Sequence, residues 1–146
     1  RHSGKVIEVV GNSLVQRTAH GGNSQRFQIW QVNDYDTSTA SYRFIIKSKL
    51  NGKALTAPPA VNGEIYLADY QPNNMYQIWS WFYSDAARRW FYIMSKPTNL
   101  YVVSVYGESL YDDAKIIQIW KSGEHQLWSF MEVVYDKSLP NVVPPK

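Results

Sequence analysis

Few residues in this 146-residue chain are spaced to make or break covalent bonds. Asp34 and Asp36, and again Asp112 and Asp113, are close carboxylate pairs of the kind that glycoside hydrolysis needs. Both pairs sit in turn-like, polar stretches where nothing would raise a carboxyl pKa, and Asp there is ordinary turn chemistry. With no Cys there is no thiolate nucleophile, no thiolate zinc site and no disulfide framework. His2, His20 and His125 lack the i, i+2 or i, i+4 spacing of metal ligands. No Gly-x-Ser-x-Gly, phosphate-loop or His-Glu-x-x-His pattern occurs. The sequence therefore reads as non-enzymatic, without metal or cofactor. What recurs instead is an amide two residues before an indole: Gln28-Ile29-Trp30, Gln77-Ile78-Trp79, Gln118-Ile119-Trp120 and Gln126-Leu127-Trp128. That spacing puts a polar and an apolar anchor on one face of a strand. This is packing and recognition chemistry rather than bond making.

Three of these motifs lie at a fixed interval of 49 residues, so three copies account for the whole chain. Each is followed by alternating apolar residues: Val32, then Trp81 and Phe82, then Phe130 and Met131. Other landmarks repeat at 48, because Ser3-Gly4-Lys5-Val6-Ile7-Glu8 parallels Asn51-Gly52-Lys53-Ala54-Leu55-Thr56 and the run from Asn99 to Ser104. Between them, short β-type runs alternate with Gly, Asn, Pro and Asp clusters. Strands are expected near 6–10, 14–16, 42–46, 64–68, 90–94, 99–105, 115–120 and 126–134, with a long polar loop at 33–41. No window sustains a capped 3.6-residue period, so helix content is expected to be very low.

These elements predict an all-β fold with a threefold internal repeat and about 12 strands, in which Trp30, Trp79 and Trp128 sink into one shared interior. The repeats run about 1–41, 42–89 and 90–138 in a single domain, 1–138, with 139–146 as a Pro-rich tail or linker. The strand before each opening has no counterpart ahead of Ser3, so the first strand of repeat 1 is expected to be missing or supplied from elsewhere, residues 141–143 being one source.

Composition agrees. A chain of this length buries about two-thirds of its unfolded surface, and 15% aromatic content with 6 Trp and 11 Tyr can fill the core. The net charge of +3 is scattered, which argues against a nucleic-acid stripe. No apolar run reaches the length of a membrane span.

Threefold Gln-x-Trp repeats in register with Gly-Lys-like openings resemble the ricin B-chain-like β-trefoil lectins over nearly the whole chain. The resemblance implies a six-stranded barrel closed by three hairpins, with Gln28, Trp30, Gln77, Trp79 and Trp128 structural and at most one shallow carbohydrate site per repeat. It places the third-repeat site on Ser104, Gln118, Trp120, His125 and Gln126. In the first repeat it falls on Glu8, Gln16 and His20, and in the second on Thr56, Tyr70 and Asn74. Sites of this family that bind galactose use an Asp where this chain has Glu8, Thr56 and Ser104. A pyranose offers an apolar face to a ring and hydroxyls to planar polar groups, and repetition compensates for weak single sites.

The expected function is thus a non-catalytic, carbohydrate-binding lectin module. Its implied partner is a glycan, glycoprotein or glycolipid receptor outside the cell, and it would act alone or as the receptor-binding domain of a larger toxin or enzyme. Trp120 equally reads as a barrel cap, Glu8 as a solvated strand residue, and His20 and His125 as surface-loop residues. Two other functions stay open: a protein-interaction or protease-inhibitor module using loops 33–41 and 57–63, and a scaffold whose sugar sites have decayed.

Overall fold

The computed structural model describes residues 1–36, 41–85, 87, 89–97 and 101–130. Ten strands form one sheet in the order β1-β2-β6-β5-β4-β7-β8-β9-β10, with β3 paired to β4 off that path. They are β1 (Val6–Val10), β2 (Ser13–Arg17), β3 (Phe27–Asp36), β4 (Ser41–Ser48), β5 (Ala54–Thr56), β6 (Tyr66–Ala68), β7 (Trp79–Tyr83), β8 (Phe91–Ser95), β9 (Tyr101–Val105) and β10 (Ile116–Trp120). Among the described residues the helical segments are four single 3-10 turns. Apolar and β-branched residues dominate the strands, as fits a pleated surface buried on at least one face.

The hairpins β1–β2, β5–β6 and β9–β10 are equivalent, and they interlock. Ser13 pairs with Tyr66, Val15 with Lys115 and Glu64 with Ile117, so each hairpin touches the other two and the sheet closes on itself. The ring closes through β2, β6 and β10; among the described residues β1 pairs only with β2, whereas its equivalents β5 and β9 each pair with two strands. The core inside draws on all three repeats, including Val9, Leu14, Leu55, Leu67, Trp79, Phe91, Val103 and Ile116. This is a β-trefoil.

The threefold motif holds, but its register in the first repeat differs from the sequence expectation. Three of the 3-10 turns, Asn23–Gln25, Met75–Gln77 and Glu124–Gln126, each end on a glutamine. Each amide does the same work. Gln77 Nε2 donates to Asp69 O at 2.9 Å, and its oxygen accepts from Gln71 N at 2.9 Å. Gln126 donates to Trp120 O at 2.7 Å and accepts from Ser122 N at 2.6 Å. In the first repeat Gln25 takes this role, donating to Thr18 O at 2.9 Å and accepting from His20 N at 2.8 Å. Two residues on, Trp79 Nε1 donates to Leu55 O and Trp128 Nε1 to Val103 O, while Phe27 packs against the same core.

Gln28 and Trp30 are therefore not the structural pair of repeat 1. They lie on β3, where half-buried Trp30 packs on a separate small cluster of Val32, Ile45 and Ala54. The reason is hairpin length. Phe27 pairs with Ser48, 21 residues on, whereas Trp79 pairs with Ser95, 16 residues on. The longer β3–β4 hairpin shifts the count, so 49 residues back from Gln77 lands three past Gln25.

The same hairpin overturns the expected loop at 33–41. Residues 33–36 belong to β3 and Ser41 to β4, with Tyr35 opposite Tyr42 and Asp36 opposite Ser41 beyond a bulge after Val32. Asp34 and Asp36 thus lie on a strand, and residues 37–40 fall outside the described residues. Trp81 stacks on Phe44 with centroids 3.6 Å apart. Trp128 bridges to Phe91; the strand expected to run on to 134 and the segment 141–143 lie outside the described residues.

The register makes a direct prediction. Gln25→Ala removes an amide that bonds three backbone groups and the buried Glu8 carboxylate, and should cost about 2–3 kcal/mol of unfolding free energy. Gln28→Ala should cost less than about 1 kcal/mol by urea denaturation. Equal losses at the two positions would contradict the assignment.

Candidate functional site

Each repeat presents the same frame: an opening-strand residue, the residue that ends the second strand of the hairpin, and the glutamine that holds that residue's carbonyl. The opening-strand positions are Glu8, Thr56 and Ser104, opposite Val15, Tyr66 and Ile117. The strand-end positions are Thr18, Asp69 and Trp120, defined by the three glutamine bonds. Only the third repeat carries a ring there.

In that third repeat Trp120 is 53% exposed at the end of β10. Its cross-strand partner Tyr101 meets it edge-on, with centroids 4.9 Å apart at 87°. Two flanking bonds to the Gln126 amide fix the backbone, which aims the indole outward without spending its face on the core. Ser104 is buried and its Oγ has no hydrogen-bond partner among the described residues, although Thr56 and Glu8 at the same position both bond to their glutamines. A serine is shorter than glutamate, and an unpaired buried hydroxyl is uncommon. His125 is buried, with Nδ1 3.4 Å from Glu108 Oε1 and its ring 6.0 Å from that of His2. Burial lowers its pKa below the ordinary 6.5; Glu108 opposes that shift and His2 adds to it.

Gln118 is turned elsewhere. Its Nε2 donates to Pro58 O at 2.7 Å and Ala60 O at 3.0 Å, clasping the loop of the neighbouring repeat. Gln16 does the same in repeat 1, donating to Ser109 O at 2.8 Å and Tyr111 O at 2.7 Å. These two glutamines are committed to inter-repeat contacts.

In the first repeat Glu8 is 3% exposed and its carboxylate is surrounded. Arg17 Nη1 donates at 2.6 Å, Gln25 Nε2 at 3.0 Å and Ser24 Oγ at 3.3 Å, and the His20 Nε2 side completes the shell. Burial pushes the Glu8 pKa up, but the hydrogen bonds from His20 and Gln25 and the Arg17 charge outweigh it, so the carboxyl sits below its ordinary value. Arg17 in turn reaches Asp113, and Lys5 reaches Asp112 at 2.9 Å, tying repeat 1 to repeat 3.

In the second repeat Thr56 is buried, donating to Ala54 O and accepting from Gln77. Tyr70 follows the strand-end position rather than occupying it, and Lys47 Nζ lies 4.7 Å from its ring and 5.2 Å from that of Trp30. Asn74 caps the 3-10 turn, accepting from Tyr76 N at 3.0 Å. Tyr70 and Asn74 share an open cleft of about 220 Å³ with Val32, Ile45, Met75 and Lys96, apart from Thr56.

The structure thus brings Trp120, His125 and Gln126 together on the third frame, with Ser104 at its opening-strand position, and Glu8 with His20 on the first. Tyr70 and Asn74 stand aside. Sequence reasoning missed Gln25, Asp69, Ser24, Arg17 and Asp112. The Gly21-Gly22-Asn23 turn before Gln25, matching Gly123 before Gln126, was the available signal; nothing local marks Asp112. Among the described residues no group of three His, Asp or Glu side chains converges as a metal site, and no helix is long and apolar enough to cross a membrane.

Solved structures share this arrangement of strands. A designed threefold-symmetric protein, ThreeFoil, matches with a TM-score of 0.76 and 21% identity, over 91% of this chain and 94% of that one. An exo-β-1,3-galactanase from Clostridium thermocellum matches at 0.75 and 21% identity, over 90% of this chain but 28% of its own. The Macrolepiota procera ricin B-like lectin, solved with lactose, matches at 0.64 and 18% identity, over 87% and 86%. No protein-family model and no curated protein sequence matches. What these likenesses show is the fold.

Two of the shifted groups, His125 and Glu8, give a pH prediction. The folded pKa of His125 lies below 6.5, so its protonation favours the unfolded chain and stability falls as pH drops below about 6.5. Glu8, with a depressed pKa, contributes stability above its ordinary 4.5 that is lost as pH falls through its folded value. Urea midpoints against pH should show both declines. His125→Gln should flatten the upper one and Glu8→Gln the lower; unchanged curves would refute the assignment.

Proposed function

We propose that the chain is a non-catalytic carbohydrate-binding module whose best-formed site is the third frame, with Trp120 as its stacking platform. The single observation that carries this reading is the exposed, rigidly aimed Trp120 indole beside polar groups not all consumed internally. Pyranoses are held by a ring against their apolar face and by polar groups at its edge. The exposed Glu108 carboxylate, 3.4 Å from His125 Nδ1, supplies that edge, while Ser104 and His125 are buried and support the frame from inside. Gln126 works by holding the Trp120 carbonyl, and Gln118 and Gln16 act as supports for the frame. Glu8 and His20 form a closed polar corner in the first repeat, and the second frame has Asp69 where the third has its ring, with Tyr70 and Asn74 standing aside.

The fold is shared with a lectin solved with lactose and with a region spanning 28% of a galactanase, which supports a sugar-binding module used alone or within a larger protein. A glycan, glycoprotein or glycolipid receptor met outside the cell fits this reading. A second reading also has an observation behind it. The loop 57–63 is clasped from below by Gln118 while Pro59, Ala60, Val61 and Asn62 stay exposed, as suits a rigid protein-binding loop.

A glycan array probed with the whole chain should give discrete hits. Trp120→Ala should weaken them by about fivefold or more with unchanged far-ultraviolet circular dichroism, since stacking contributes about 1 kcal/mol. Absence of any glycan hit, or full binding by Trp120→Ala, would overturn the proposal. Protein binding that tolerates Trp120→Ala but fails when 57–63 is shortened would favour the second reading.

A further inference from the structure

We infer that the first repeat carries a second carbohydrate subsite, whose stacking ring is Tyr111, supplied by the β9–β10 loop of the third repeat. This rests on the carbohydrate-binding reading and adds a site to it.

The argument is one of complementary placement. Thr18 occupies in repeat 1 the place that Trp120 occupies in repeat 3, since Gln25 and Gln126 donate to their respective carbonyls. Thr18 has no ring. Beside each frame runs a loop from another repeat, gripped by the glutamine two residues earlier. Gln118 grips 58–60, so Ala60 stands next to a frame that already has its indole. Gln16 grips 109–111 in the same way, and there the residue at the Ala60 position is Tyr111. In repeat 2 the counterpart of Gln16 is Leu67, which takes Asn12 O of a tight turn through its backbone N–H, and neither Asp69 nor that turn offers a ring. The ring is therefore present on the clasped loop where the strand end lacks it.

The Tyr111 loop is built to hold still. Asp112 accepts from Thr18 N at 2.9 Å and from Lys5 Nζ at 2.9 Å, which seats the loop on the empty ring position itself. Asp113 accepts from Arg17 Nε at 2.7 Å. Glu108 and Asp113 have positive φ, a shape that persists in side-chain-bearing residues where surrounding bonds enforce it. On this tied backbone Tyr111 is 80% exposed. Glu8 is too enclosed to receive a ligand hydroxyl and His20 spends both ring nitrogens on Glu8 and Gly22 N, so the polar edge is formed by the Asp112 oxygen that Thr18 Oγ1 meets only at 3.5 Å. A ring beside an ionised acceptor suits a neutral pyranose with vicinal hydroxyls.

Titration of the whole chain with the methyl glycosides of galactose, glucose, mannose, fucose, N-acetylglucosamine and N-acetylgalactosamine, followed by NMR, separates the possibilities. At least one should move the Tyr111 ring and Thr18 amide signals saturably, and do so in Trp120→Ala as well. On that background Tyr111→Ala should weaken the response by about tenfold, and Tyr111→Phe should restore it. Because Tyr111 is exposed, unchanged circular dichroism is expected for both variants. Shifts at Trp120 with none at Tyr111 would overturn this subsite and leave the general function standing. No shift at either ring would overturn both.

Discussion

Everything in this fold that aims a side chain depends on one bond, the donation from a buried glutamine amide to the carbonyl that ends a hairpin strand. Gln77 and Gln126 are fully buried, and Gln25 fills the same role in the first repeat. The amide satisfies a strand-end carbonyl and one or two turn N–H groups at once, groups that would otherwise be costly to bury. It thereby converts the chain's exit from the sheet into a fixed geometry. Trp120 points outward because its own carbonyl is pinned, and a loose strand end would let the indole collapse onto the apolar surface.

A second set of contacts joins the repeats, and here the symmetry breaks. Gln16 and Gln118 reach across to carbonyls of long neighbouring loops, while Leu67 at the same position is buried in the core and meets the short Gly11-Asn12 turn through its backbone N–H. A long loop brings carbonyls over the barrel that need donors; a tight turn brings almost none, and an apolar residue suffices. The seam between repeats 1 and 3 adds ion pairs from Lys5 and Arg17 to Asp112 and Asp113, in which the sole enclosed carboxylate is Glu8. The exposed pairs contribute little by themselves. Their role is to hold a loop in place.

Aromatic residues divide along the same lines. Trp79 fills the core, Trp81 stacks on Phe44, and Lys121 lies over Phe82 and Tyr92 much as Lys47 lies between Trp30 and Tyr70. These cation–ring contacts dock hairpins onto neighbouring loops and consume rings that composition alone would offer to a ligand. Exposure, not abundance, separates the recognition rings from the packing ones.

The sequence by itself determined the all-β class, the three modules, the opening-strand positions Glu8, Thr56 and Ser104, and the burial of Trp79, because hydrophobic alternation and turn residues are local signals. It misplaced the first-repeat motif onto Gln28 and Trp30, since a residue interval counts chain length while register counts hydrogen bonds across a hairpin, and the β3–β4 hairpin is longer. Only the tertiary structure decided that Gln16 and Gln118 face neighbouring loops, that Tyr70 lies beside its frame rather than in it, and that Asp112 bonds to Thr18, 94 residues away. Those relations run between distant segments that meet only when the ring of hairpins closes, so no local pattern encodes them.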